Sequence, residues 1–128
     1  MAWNLSADRP IYLQLMEQLA LRIVSGEYRA GERIPSVREL AQDAAVNPNT
    51  MQKALAELEA KGLITTQRTA GRSITEDASM IQNVRESLAQ SELRTFLLQM
   101  RRLGYTKADI GALLEKACNE EEETTCIF

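Results

Sequence analysis

SVRELAQDAAVNPNTMQKALAELEAKG, residues 36–62, contains two helix starts in one short span. Ser36 and Glu39 form a capping box, in which the serine hydroxyl takes the amide of the third helical residue and the glutamate reaches back. Val37, Leu40, Ala41 and Ala44 then keep the spacing of one helical face, which predicts a helix of roughly three turns. After a short break, Asn47 is a strong N-cap and Pro48 a strong first-turn residue. Met51, Ala54, Leu55 and Leu58 repeat the apolar spacing, and Lys61-Gly62 closes this helix with a basic residue and a glycine stop. Two short helices joined by so tight a break make a helix-turn-helix pattern.

The flanks extend that pattern. Upstream, Pro10 opens a helix whose stripe is Ile11, Leu15, Leu19 and Ile23, with Tyr12 and Met16 beside it, and Gly26 ends it. A connector runs from Glu27 to Pro35. Downstream, Leu63-Ile64-Thr65-Thr66 is strand-like, Gln67 to Gly71 is a turn, and Ser73-Ile74-Thr75 returns. The order helix-helix-helix-strand-strand is a winged helix-turn-helix, assigned to residues 1–76. In residues 77–128, Asp77 or Ser79 caps a long helix bearing Ile81, Val84 and Leu88. Its apolar phase slips near Gln90 and resumes at Leu93, which suggests a bend or a change of partner. Gly104 stops it, and Thr106-Lys107-Ala108-Asp109 caps a last helix with Ile110, Leu113, Leu114 and Ala117. Glu120 to Glu123 and the tail beyond are expected to fray. The fold class is mainly α with a small β-hairpin: a winged helix-turn-helix followed by a two-helix C-terminal region with an acidic tail.

Charge does not by itself announce a nucleic-acid partner. The net charge is −3; residues 1–76 carry nine basic and nine acidic side chains, and residues 77–128 carry six and nine. DNA binding requires a basic face rather than a basic protein. No apolar run approaches the roughly 20 residues of a membrane span. The start of the chain lacks the basic-then-apolar order of a signal peptide. A cytoplasmic protein is therefore expected, with Cys118 and Cys126 as free thiols. There is no histidine, no phosphate-binding glycine loop, and no carboxylate pair beside a plausible nucleophile. An enzyme is disfavoured, and no cofactor or metal is expected.

The buried stripe of the third helix leaves Asn47, Asn49, Thr50, Gln52 and Lys53 outside. Asparagine and glutamine can pair with adenine edges, and lysine with guanine edges or phosphates. A merely solvated helix start would more often carry glutamate, lysine or arginine, so this amide-rich turn favours reading of double-stranded DNA. Arg38, early in the second helix, can reach phosphate or a base edge unless it pairs with Asp43 or Glu39. Arg68, Thr69, Gly71 and Arg72 form a wing suited to a minor groove or a phosphate strand, or else an ordinary charged turn.

Residues 10–74 resemble the GntR family of bacterial regulators. The resemblance rests on Pro10-Ile11-Tyr12 with Gln14-Leu15, on Gly26, on Gly31-Glu32-Arg33-Ile34-Pro35-Ser36, and on Arg38-Glu39-Leu40-Ala41. It continues through Val46-Asn47-Pro48-Asn49-Thr50, Ala54-Leu55, Leu58-Glu59, Gly62-Leu63-Ile64 and Gly71. The 47–53 stretch with a short helical tail is similar to the YtrA-type branch. The resemblance implies DNA contacts at Arg38, Asn47, Asn49, Thr50, Lys53 and near Gly71, together with dimerisation and control of transport genes. Pro48 and Gln52 stand where much of the family has arginine, and Thr69-Ala70 makes a less basic wing tip.

The last fifty or so residues are too few to enclose a large effector pocket. Phe96, Leu97, Met100, Leu103, Ile110, Leu113 and Leu114 are better used in a homodimer, which presents two recognition helices about one DNA turn (~34 Å) apart. The competing use of these residues is packing against their own winged helix. The expected function is a dimeric repressor on an inverted-repeat operator. The alternative, motivated by the neutral first half, is a winged helix that docks proteins and has no DNA role.

Overall fold

A computed structural model describes residues 3–68 and 71–125. Along them run α1 (Ile11–Val24), α2 (Val37–Ala44), α3 (Pro48–Ala60), β1 (Ile64–Gln67), β2 (Gly71–Ile74), α4 (Ala78–Arg102) and α5 (Lys107–Thr125). Thr69 and Cys126 lie outside the described residues.

Two glutamines on α1 hold the segment before it. Gln18 accepts from the Asn4 amide at 3.2 Å and donates to the Asn4 carbonyl at 2.7 Å, as a neighbouring strand would. One turn earlier, Gln14 accepts from the Ser6 amide at 2.7 Å and donates to the carbonyls of Ser6 and Arg9 at 2.8 and 2.9 Å. Gln14 is buried, and these bonds remove the cost of burying its carboxamide. At the start of this arm the Trp3 indole donates to Asp43 of α2 at 2.7 Å, while the Arg22 guanidinium sits 3.9 Å from the ring centroid. Trp3 therefore ties the end of α1 to α2.

The α2 cap is as the spacing predicts in one direction: Ser36 Oγ accepts from the Glu39 amide at 3.1 Å. The Glu39 carboxylate reaches the Ser36 hydroxyl, also at 3.1 Å. The helix has eight residues, little more than two turns rather than three. It stops because Ala45 turns left-handed at φ 56°, ψ 47°, and Val46 N then bonds back to the Ala41 carbonyl at 3.0 Å. A left-handed alanine costs about 1 kcal/mol. Ala45→Gly is therefore expected to raise the unfolding free energy by about 0.5–1 kcal/mol, read as a later denaturant midpoint at unchanged slope.

Leu15, Leu19, Met51, Leu55, Leu58, Leu63, Ile64 and Ile74 are almost fully buried and bring α1, α3 and the hairpin together. Leu40, Ala41 and Ala44 seal α2 against this centre. Each large aliphatic side chain so buried contributes about 1.5–3 kcal/mol. The hairpin register pairs Ile64 with Ile74 and Gln67 with Gly71. Gly71 thus begins the returning strand instead of sitting in the turn, at a positive φ of 76° that glycine adopts without strain. The connector adds a short third edge: Arg33 bridges Ser73, Ile34 N donates to the Arg72 carbonyl at 3.0 Å, and Ile74 N donates to the Glu32 carbonyl at 2.8 Å.

Asp77 is the cap of α4, accepting from the amides of Ser79 and Met80 at 3.0 and 3.3 Å. The Ser79 hydroxyl, then the Met80 amide, hold the Asp77 carboxyl below the usual carboxylate range. The start of α4 packs on the winged helix. Met80 Cε lies 3.2 Å from where a side chain on Gly62 would begin, and Arg85 Nη2 donates to the Val24 carbonyl at the end of α1 at 2.6 Å. The chain accordingly divides into two compact units between Ser87 and Leu88, close to the slip in apolar phase.

In the second unit, Thr106 and Asp109 make the expected cap for α5, with Asp109 N donating to Thr106 Oγ1 at 3.3 Å and Thr106 N donating to Asp109 Oδ2 at 3.0 Å. The expected fraying of Glu120–Glu123 is not what the structure shows: α5 continues through Thr125. Glutamate is a good helix former, and that propensity prevails over the unfavourable helix-end dipole.

Candidate nucleic-acid interface

The first turn of α3 is set by Asn47 and Pro48. Asn47 Oδ1 accepts from the Asn49 amide at 2.8 Å, and Pro48 needs no partner for a missing N–H. With Met51, Ala54, Leu55 and Leu58 buried, the helix presents Asn49, Gln52, Lys53 and Ala56 to solvent on one face. Asn47 is also exposed, and Thr50 is half-buried.

These candidates are not equivalent. A bidentate grip on adenine uses the oxygen and the nitrogen of a carboxamide together. Asn47 has already committed its oxygen to the cap, so its free NH2 suits a phosphate better. Asn49 and Gln52 make no side-chain hydrogen bond among the described residues, which leaves both ends of each amide available. Lys53 Nζ sits 3.9 Å from the ring centroid of Tyr12 on α1. To enter a groove it would give up a contact worth about 0.5–1 kcal/mol.

Arg38 is exposed in the first turn of α2. The pairings that would have neutralised it are not made, because Glu39 is engaged by Ser36 and Asp43 by Trp3. Arg68 is exposed next to the hairpin tip, and Arg72 is half-buried on β2. Arg38, Arg72 and Gly71 share one open groove of about 460 Å3 between the wing and the start of α2. Thr69 lies outside the described residues, and the α3 residues do not line this groove.

Sequence reasoning passed over three residues that belong to this surface. Arg33 lines the same groove, Tyr12 orients Lys53, and Trp3 links α2 to α1. Arg33 had a faint signal, since it precedes the apolar Ile34 in an otherwise polar connector. Its place beside β2 follows from pairing between segments far apart in the chain, which no local pattern encodes.

In the second unit Ile110 is buried, Phe96, Leu97 and Met100 are half-buried, and Leu113 and Leu114 are exposed. Leu103 is 71% exposed, an unusual state for a leucine. Among the described residues no helix is long and apolar enough to cross a membrane, and no group of acidic or thiol side chains is placed to hold a metal.

Residues 11–74 match the sequence profile of the bacterial regulatory proteins of the gntR family. Two Bacillus subtilis relatives match along most of their length. The uncharacterised HTH-type transcriptional regulator YhcF is 38% identical over 104 residues, spanning 81% of this chain and 86% of its own. The HTH-type transcriptional repressor YtrA is 36% identical over 110 residues, spanning 86% and 80%. A solved GntR family transcriptional regulator from Listeria monocytogenes superposes with a TM-score of 0.81 at 38% identity, covering 88% of this chain and 98% of that one. A winged helix-turn-helix, matched by that profile over half the chain's length, makes this chain a member of the GntR family of DNA-binding transcription regulators rather than an enzyme.

Proposed function

We propose that this regulator is a cytoplasmic repressor that binds an inverted-repeat operator as a homodimer, each copy placing the start of α3 in the major groove. The observation that carries the reading is the exposed face of α3, where Asn49 and Gln52 offer complete amides above a fully buried apolar stripe. Similarity to a relative named as a repressor supports repression. The exposed apolar side chains of the second unit support pairing with a second copy, since a self-complementary surface is how two-fold dimers form.

The test is an equilibrium titration of the chain against a duplex selected from a random pool and against an unselected duplex, each at two salt concentrations. Tight, salt-dependent binding with strong preference for the selected duplex is expected. Asn49→Ala should cost about 1–3 kcal/mol on the selected duplex and little on the unselected one. Binding that is absent, or indifferent to salt, rejects the DNA reading and leaves protein docking as the use of the winged helix.

A further inference from the structure

The groove between wing and α2 concentrates positive charge in a half of the chain whose net charge is zero. Arg33, Arg38 and Arg72 line it, with Glu39 as the one acidic side chain, and the Glu39 carboxylate is already engaged by the Ser36 hydroxyl. Arg33 is placed there by backbone pairing. It stands opposite Ser73, and because Ile34 beside it is buried, strand alternation turns Arg33 outward. Gly71 lies two residues from Ser73 on the same face of β2, and the Arg33 Nε and Nη2 atoms lie 3.6 Å from where a Gly71 side chain would begin. The guanidinium thus rests over bare backbone. Arg72 Nε is shielded from solvent and meets no acceptor among the described residues.

We propose that Arg33, with Arg38 and Arg72, seats one DNA backbone phosphate at the root of the wing. This rests on the DNA-binding reading and adds a residue and a role to it: the contact sets where the wing lies along the strand and carries no sequence information. Arginine suits the seat because its planar fork can take two phosphate oxygens at once. Glycine at position 71 is called for by its positive φ of 76°, and it leaves the guanidinium lying against bare strand.

The test follows binding of the selected and the unselected duplex over a series of salt concentrations. Arg33→Gln should lower the slope of log affinity against log salt by about 0.9, and weaken both duplexes about eightfold at ~0.1 M salt. Arg33→Lys should keep the slope, because counterion release follows charge. If the unsubstituted chain binds and Arg33→Gln retains its slope and affinity, the seat is wrong and the DNA reading stands. A loss confined to the selected duplex also overturns it, because that makes Arg33 a reader of bases. Absence of binding by the unsubstituted chain overturns the DNA reading itself.

Discussion

Leu55→Ala is expected to remove about 3–4 kcal/mol of folding free energy and to bring the urea midpoint down sharply. Leu55 is fully buried on α3, between Met51 one turn before and Leu58 nearly one turn after, both also buried. The substitution deletes apolar surface and leaves a cavity that the helix cannot close, because Ala54 beside it is equally enclosed. A unit of this size is stable by only about 5–10 kcal/mol, so the loss is a large share of the total. Unfolding in urea, followed by the single tryptophan, Trp3, reads the effect. Trp3 is well placed to report because it bridges Arg22 and Asp43 and must lose both contacts when the winged helix opens. Leu55→Met should cost less than ~1.5 kcal/mol and keep DNA binding, since it conserves volume. A Leu55→Ala protein within ~1 kcal/mol of the parent would mean that α3 is not seated on this core.

That core was legible in the sequence because its signals are local. Caps at Ser36, Asn47 and Thr106 each act within one turn, so adjacent residues are enough to find them. The apolar stripes of α1 and α3 were read correctly for the same reason. Asp77 and Ser79 can each cap α4 by residue type, and the structure uses Asp77, whose carboxylate takes two amides. What the sequence hid depends on distant pairing or on an unsigned backbone state. Nothing marks Ala45 as left-handed, so α2 read one turn too long. Gln14 and Gln18 look like ordinary helix residues, and their grip on Asn4 and Ser6 appears only when an irregular arm lies alongside.

The candidate DNA surface divides the same way. Which residues face outward on α3 follows from helical period, and all the predicted ones except the half-buried Thr50 are exposed. How each is employed does not follow from period. Asn47 is drawn into the cap, Lys53 onto Tyr12, and Arg38 is left unpaired while Trp3 and Ser36 engage Asp43 and Glu39, the acids that could have paired with it. Side-chain identity thus located the surface, and tertiary neighbours distribute the roles on it.

The Phe96→Asp, Leu113→Asp double variant is expected to be a monomer by light scattering and to bind the selected operator about 10²–10⁴-fold more weakly than the parent. Phe96 on α4 and Leu113 on α5 belong to the second unit, where Leu98 is 51% and Leu103 71% exposed in the single chain. Charge at both positions opposes burial against a like surface, because an unpaired carboxylate in an apolar contact is costly. The loss of DNA affinity follows from the weakness of one winged helix. Residues 1–76 have no net positive charge, so a lone unit has little long-range attraction to phosphate. Joining two units makes the second contact intramolecular, at an effective concentration of about a millimolar, without any new contact to DNA. Trp3 emission should stay as in the parent, since both substitutions lie outside the unit that ends at Ser87. An unchanged mass would place the dimer surface elsewhere. A monomer that keeps full operator affinity would separate dimerisation from DNA binding, and the net-neutral winged helix would then have to bind through its own few contacts: Asn49 and Gln52 on α3 and the arginines of the groove.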